Sequence, residues 1–320
     1  MDGSEGQAQP SGFYPNGILP NEASSVTRVL DAERWAQAEE RAAELIARIQ
    51  PNQLSENQRN AIESYMKCLI TKCFSCQVFA YGSVPLKTYL PDGDIDLTAF
   101  SKNQNLMSTW YYKLEEVLEK EKKREDAVFH VTEVQIILAK VPLVKCIVEN
   151  IVVDISFNQL GGLSALCFLE EVDNLISNDH LFKRSIILIK AWCYYESRTL
   201  GAHYGLISTY ALETLVLYIF HVFDNSFAGP LERMFVTSGS DYCILYTTAD
   251  PPRRDGGELS LSKTVYSCIS AYTLLPLGQG NPELPFSLKH FNIIDPLLTN
   301  NNLGNSVNKE EFFPGPAIFK

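Results

Sequence analysis

Two aspartates and a glycine–serine pair lie close together within residues 79–99. Asp94 and Asp96 are two residues apart in a stretch of strand-forming residues, so both carboxylates leave the same face of the predicted strand. Neighbouring carboxylates repel each other unless a divalent cation lies between them. The Gly82-Ser83 pair follows a short apolar run, where backbone N–H groups can approach a phosphate closely. The combination predicts metal-assisted nucleotidyl transfer.

A third acid, Asp154, lies inside the apolar run from Ile151 to Phe157. A carboxylate in such a run is costly to bury unless it has a partner. Asp154 therefore either has a partner or caps the element that follows the strand.

The composition limits the class of protein. The chain has 320 residues, which suits two domains, and a hydrophobic content of 46%, which is sufficient for two cores. Its formal net charge of −11 is unusual for an RNA-binding protein, because phosphate binding favours basic surfaces. Any RNA contact must then be a local patch or be assisted by a partner protein.

The sequence also bears on the compartment. The longest apolar run, 207–223, is interrupted by Glu213 and His221, so no membrane span is expected. The polar N-terminus is unlike a secretory signal, and eight scattered cysteines fit a reducing compartment. The CxxC spacing of Cys73 and Cys76 has no second pair, so we do not expect zinc there. We expect an intracellular protein, either nuclear or cytoplasmic.

The hydrophobic pattern of the first half predicts an α/β unit. Residues 1–27 are typical of a flexible leader. Helices are expected over residues 31–49, 84–89 and 107–124. A further helix is expected to begin at a capping box formed by Ser55 and Gln58 and to end at about residue 73. Strands are predicted at 78–81, 95–99, 128–139, 143–148 and 151–157.

The pattern changes after Gly161-Gly162, which mark the predicted domain boundary. Long helices are expected at about 163–177, 180–198 and 205–223. We therefore expect N-terminal helices and a catalytic domain over 28–160, and a helical domain over 161–320. A loop at 251–257 and a helix at 261–271 are expected further on, and Arg253 and Arg254 in the loop either contact RNA phosphates or are simply exposed.

The spacing of Gly-Ser, ten residues and Asp-Ile-Asp-Leu resembles the signature of the DNA polymerase beta-like nucleotidyltransferases. The segment YGSVPLKTYLPDGDIDL is similar to their poly(A)/poly(U) polymerase branch, and especially to its plant-type members. The resemblance spans about residues 50–310. It implies an α/β (α+β) fold with a palm-like mixed sheet, a helical PAP/OAS1-like central domain and an active site in the cleft between them. It also implies two Mg²⁺ (or Mn²⁺) ions held by Asp94, Asp96 and Asp154.

The resemblance assigns phosphate- and base-binding residues as well. Gly82 and Ser83 would orient the phosphates. Lys190 matches the lysine that contacts the triphosphate, although Tyr194 stands where a second lysine is common. The segment GLISTYAL resembles one in which hydroxyls contact phosphates and a tyrosine stacks under the base. Its matching residues are Ser208, Thr209 and Tyr210, of which Tyr210 is equally compatible with a core position.

Two further segments match the family's nucleotide contacts. Asn158 and Gln159 lie where the ribose hydroxyls are read, and which of them does so stays open. FNIIDPLLTNNNLGNSV resembles the nucleotide-recognition loop, in which Asp295 opens the turn. Asn301 stands where uridylyltransferases often have a histidine, which favours ATP over UTP. Asn305 replaces a common arginine, and the family typically continues past the last residue of this chain with a further helix.

The resemblance therefore implies a template-independent RNA 3′-terminal nucleotidyltransferase. It would add AMP from ATP to an RNA 3′ end by two-metal in-line transfer and release pyrophosphate. The alternatives are a catalytically weak or inactive nucleotide- or RNA-binding scaffold of the same fold, a terminal uridylyltransferase, or a transferase that modifies a small molecule or a protein.

Overall fold

The computed structural model describes residues 32–139, 141–176, 178–223, 286–287, 289, 291–298 and 300–308. The predicted leader over 1–27, the predicted loop at 251–257 and the predicted helix at 261–271 lie outside the described residues.

Two helices precede the sheet. Helix α1 spans Ala32–Ile49 and helix α2 spans Gln53–Phe74. The capping box predicted at Ser55 and Gln58 is wrong, because the reciprocal bonds join Asn52 and Ser55. Asn52 directly follows the proline that ends α1, so α2 begins one turn earlier than the Ser55 signal indicates.

A mixed five-stranded sheet forms the first layer of the fold. Its strands are β1 (Gln77–Tyr81), β2 (Ile95–Phe100), β3 (Val131–Ile137), β4 (Leu143–Val148) and β5 (Ile151–Phe157). Their order is β1-β2-β5-β4-β3, with β2 and β5 parallel and the other neighbours antiparallel. The central position of the β2–β5 pair brings the two acid-bearing strands side by side, and the predicted palm-like mixed sheet is confirmed.

Helices connect and cover the strands. A single turn, α3 (Ser83–Leu86), follows β1, shorter than the predicted helix over 84–89. Helix α4 (Trp110–Lys122) packs its apolar face, which includes Leu114 and Leu118, into the same hydrophobic cluster as α2 and the sheet.

The described chain from residue 161 to residue 223 is mainly helical, as predicted. Helix α5 spans Gly161–Ile176, and α6 spans Leu181–Ala191 before a π-helical turn at Trp192–Glu196. Helix α7 spans Thr209–Phe223 and starts later than predicted, because Gly205 adopts the left-handed conformation in the loop before it. These helices share a hydrophobic cluster separate from that of the sheet. The exact domain limits stay a prediction.

None of the helices in the described part of the chain is long and apolar enough to cross a membrane.

Candidate active site

The three predicted metal-binding aspartates converge at one end of the β2–β5 pair. Asp96 of β2 lies opposite Asp154 of β5 in the parallel register, and Asp94 directly precedes β2. One carboxylate oxygen from each aspartate lies within 4.8 Å of the others. Among the described residues, this is the one group of three or more acids, histidines or cysteines with such geometry.

The electrostatics of this cluster are unfavourable without a cation. Burial raises the pKa of Asp96 well above its usual range, and the charges of Asp94 and Asp154 raise it further. The Asp154 Oδ1 atom is buried and has no hydrogen-bond partner among the described residues. Convergent carboxylates with a buried oxygen left unpaired are the donor set that hard divalent cations prefer. The residues present therefore fit a magnesium or manganese site.

The backbone at Gly82, next to the acid cluster, requires a glycine. Its φ of +75° lies in the region that favours glycine, and a Cβ added there would lie 2.5 Å from Asp96 Oδ2. Any side chain at this position would push into the acid cluster. Ser83 follows as the first residue of α3 and is buried.

A cavity of about 480 Å³ extends from the acids toward the helical half of the fold. Its lining includes most of the predicted site residues, which are Gly82, Ser83, Asp94, Asp96, Lys190, Thr209, Tyr210, Asp295 and Asn301. The sheet and the helical segments therefore contribute to one cleft. The roles of these side chains in nucleotide binding stay predictions.

One wall of the cavity is a hydrogen-bonded group from α7 and the 291–308 segment. The Tyr210 hydroxyl donates to Asp295 Oδ1 at 3.1 Å, and Asn301 Nδ2 donates to Asp295 Oδ2 at 2.9 Å. The backbone of this segment is held by Asn302, whose side chain accepts from Ile293 and Gly304 N–H groups. These hydrogen bonds therefore fix the wall of the cavity without any contact with a ligand.

Comparisons with known proteins agree with this architecture. Residues 39–170 match the model for the central palm domain of mitochondrial-like poly(A) RNA polymerase. Residues 176–242 and 237–316 match the model for the PAP/OAS1 substrate-binding domain. Among curated proteins, none matches the chain.

Solved structures of terminal transferases are similar to the whole fold. A histidine-to-asparagine mutant of the Cid1 poly(U) polymerase bound to MgATP has 16% identity and a TM-score of 0.63, covering 87% of this chain and 90% of its own. Cid1 in complex with its short product ApU has 16% identity and a TM-score of 0.61 over the same shares. A cytoplasmic RNA terminal U-transferase has 16% identity and a TM-score of 0.59, again over 87% and 90%.

The chain has the Cid1-like nucleotidyltransferase fold. The two family models and these neighbours support the poly(A)/poly(U) polymerase family and indicate a nucleotidyltransferase. Membership of the plant-type group stays a prediction.

Three predicted site residues, Asp154, Asn158 and Ser208, do not line the cavity. The Asn158 side chain accepts from Ser101 N at 3.1 Å and donates to Ser101 O at 3.3 Å, which fastens the end of β5 to the end of β2. Ser208 Oγ accepts from Ala211 N at 3.2 Å at the start of α7. Gln159, the other candidate for the ribose, is also outside the cavity lining. Contacts of Asn158 and Ser208 with a nucleotide remain predictions that this arrangement does not favour.

Lys190 lies in the cavity with an unexpected neighbour, Glu213. Both side chains are buried, at 9% and 5% exposure, and both line the cavity. Burial raises the pKa of Glu213 to about 7, and the Lys190 charge partly opposes that rise. The sequence offered a signal for Glu213, since a single acid in the apolar run of α7 is as costly to bury as Asp154 is in β5.

Lys145 is a second residue that the sequence analysis missed. It lies opposite Asp154 in the antiparallel β4–β5 pair, and its Nζ is 3.1 Å from Asp154 Oδ2. Burial raises the pKa of Asp154, and Lys145 opposes that rise. The lysine therefore balances part of the charge of the acid cluster.

Proposed function

We propose that the chain is a template-independent RNA 3′-terminal nucleotidyltransferase that prefers ATP and releases pyrophosphate. The observation that carries the proposal is the convergence of three carboxylates within 4.8 Å, next to Gly82 and at the end of a 480 Å³ cavity. The family models and the terminal-transferase neighbours support the same reaction class.

Asp94, Asp96 and Asp154 would hold two Mg²⁺ or Mn²⁺ ions. When bound there, such ions would lower the pKa of an RNA 3′-hydroxyl and stabilise the attacking and leaving oxygens of an in-line displacement. The protein contributes position rather than a covalent intermediate. The β2–β5 register holds Asp96 and Asp154 side by side, and Gly82 leaves space above them for phosphates.

In this proposal, the ammonium group of Lys190 faces the triphosphate. Among the residues that line the cavity, it is the one lysine or arginine, and its ammonium therefore supplies the fixed positive charge there. Thr209 and Tyr210 begin α7 on the same cavity, so a hydroxyl and an aromatic ring are available for a phosphate and a base.

The preference for ATP rests on Asn301. A carboxylate can only accept, so the bond to Asp295 fixes the Nδ2 side of the Asn301 amide on Asp295. The carbonyl oxygen of the amide takes no part in this bond, and it can accept from a donor such as the adenine amino group.

A second candidate, a terminal uridylyltransferase, is favoured by the neighbours, since Cid1 and the U-transferase are named for uridylyl addition. One assay separates the candidates: each labelled NTP is offered with Mg²⁺ and a short RNA primer. We expect extension with ATP above extension with UTP, and none in EDTA.

The control variants decide whether any extension belongs to this site. Asp96→Asn should abolish extension, whereas Asp126→Asn, at an exposed acid far from the cavity lining, should leave it unchanged. Faster extension with UTP would overturn the ATP preference. Measurable NTP binding without extension by any NTP would instead favour the scaffold alternative.

A further inference from the structure

Four aromatic side chains lie on the protein surface near the acid cluster. They are Tyr194, Tyr195, His203 and Tyr204, and we call them the aromatic rim. Within the described part of the chain, four tyrosines are exposed, and three of them belong to the rim, with exposures of 48%, 46% and 69% for Tyr194, Tyr195 and Tyr204. Large exposed aromatic side chains gathered in one place indicate a binding surface.

The first half of the rim is held against the loop that carries the catalytic acids. Tyr194 and Tyr195 lie in the π-helical turn, and such turns occur often at functional sites. The Tyr195 hydroxyl donates to Asp92 Oδ1 at 2.8 Å, and Asp92 is two residues before Asp94. The rings of Tyr194 and Tyr195 are 5.0 Å apart and nearly perpendicular, at 83°.

The second half of the rim is a loop closed by backbone hydrogen bonds. Gly201 N donates to Ile207 O at 2.8 Å, and Ile207 N donates to Thr199 O at 3.0 Å. The His203 and Tyr204 rings are 3.9 Å apart. These bonds fix the base of the loop while the rings stay exposed.

The two halves lie close enough to each other and to the acids to interact electrostatically. The charges of Asp92 and Asp94 raise the pKa of Tyr194, and Tyr204 also contributes to that rise. A charged His203 would lower the pKa of Asp154.

We propose that the aromatic rim binds the 3′-terminal bases of single-stranded RNA by stacking. The inference rests on the proposed function, because an RNA 3′-hydroxyl that reacts at Asp96 and Asp154 must enter beside them. The preceding bases then cross the surface where the rim lies.

Charge supports stacking over phosphate neutralisation at this surface. The chain carries a formal net charge of −11, and Asp92 and Glu196 lie exposed beside the rings. Phosphate contacts are therefore a weak source of affinity here. Aromatic stacking does not need a basic surface, and it tolerates any base because every base has a π-face.

The test is RNA binding without nucleotide, so that it does not depend on turnover. Fluorescein-labelled oligo(A) is titrated with wild type, Tyr194→Ala and Tyr204→Ala, and its anisotropy is measured. We expect about a 5- to 100-fold weaker affinity for each alanine variant. Tyr194→Phe and Tyr204→Phe, which keep the ring, should bind like wild type. Tyr112→Ala is the matched control, because Tyr112 is also exposed, at 56%, but lies on α4.

An oligonucleotide with abasic sites at its 3′ end gives the reciprocal test. It should bind wild type as weakly as intact RNA binds the alanine variants. Unchanged RNA affinity in both alanine variants would overturn the proposal. If the KM for ATP were raised as well, the rings would contact the nucleotide instead of the RNA. RNA binding that depends on the rim, without incorporation of any NTP, would uphold the rim and overturn the proposed function.

Discussion

The buried carboxyl of Glu213 should make the stability of the protein depend on pH. Burial raises its pKa from 4.5 to about 7. Between these two values, the folded chain binds more protons than the unfolded chain, so the free energy of unfolding falls as pH rises. Stability is highest below the unfolded pKa, and the loss is complete above the folded pKa. One pKa unit corresponds to about 1.4 kcal/mol, so the loss between pH 5 and pH 8 is about 2–3 kcal/mol.

Glu213→Gln removes the titration and keeps the shape of the side chain. We expect the free energy of unfolding of wild type, relative to that of the variant, to fall by about 2–3 kcal/mol from pH 5 to pH 8. Urea unfolding at several pH values, read by both fluorescence and circular dichroism, measures this difference. Burial of the glutamine amide also costs free energy, but this cost is the same at every pH. The change of the relative stability with pH therefore reports the titration of Glu213.

Glu40→Gln is the matched control, since Glu40 is exposed on α1. Its stability relative to wild type should change little with pH. If the relative stability of Glu213→Gln is equally flat, then Glu213 keeps its ordinary pKa. The inference that desolvation dominates at this position would then be refuted.

Two further predictions concern the frame of the acid cluster. Gly82→Ala should slow nucleotide incorporation at least about 100-fold in the primer-extension assay, because the added Cβ would lie 2.5 Å from Asp96 Oδ2. Gly161→Ala is the control and should retain activity, because nothing lies within 4 Å of its added Cβ. Arg59→Met should lower the free energy of unfolding by about 2–4 kcal/mol in urea titrations, because the buried Arg59 donates to two backbone carbonyls of the turn before β2. An unchanged free energy of unfolding would show that the turn does not depend on these hydrogen bonds.

Much of the catalytic half could be predicted from the sequence because its signals are local. The runs of strand-forming residues predicted β4 and β5 with the bounds that the structure has, and the spacing of Asp94 and Asp96 placed the two acids around the first residue of β2. The cost of an unpaired acid in an apolar run singled out Asp154, and the family resemblance implied its place in the metal site. The other inferences needed only neighbouring residues and the period of a strand.

The missed features depend on contacts between distant segments. Lys145 pairs with Asp154 through the register of β4 against β5, which the sequence of either strand does not contain. Asn158 was expected at the nucleotide but bonds to Ser101, because both residues follow strands that end side by side. Glu213 carried the same signal as Asp154, an acid in an apolar run, but its position on the cavity required the packing of α7 against α6.

The charges of the cavity also constrain how a nucleotide can bind. Its lining contains the carboxyl groups of Asp94, Asp96, Glu213 and Asp295, against the single ammonium of Lys190. A triphosphate is itself strongly anionic, so the protein alone repels it at short range. Divalent cations that bind with the nucleotide would reverse this balance at the acid cluster. Three hydrogen bonds stabilise the charge of Asp295, and the raised pKa of Glu213 favours its neutral form. The acids of the cavity would therefore make nucleotide binding depend on the metal. A metal-assisted transferase requires this dependence, whereas a metal-independent scaffold does not.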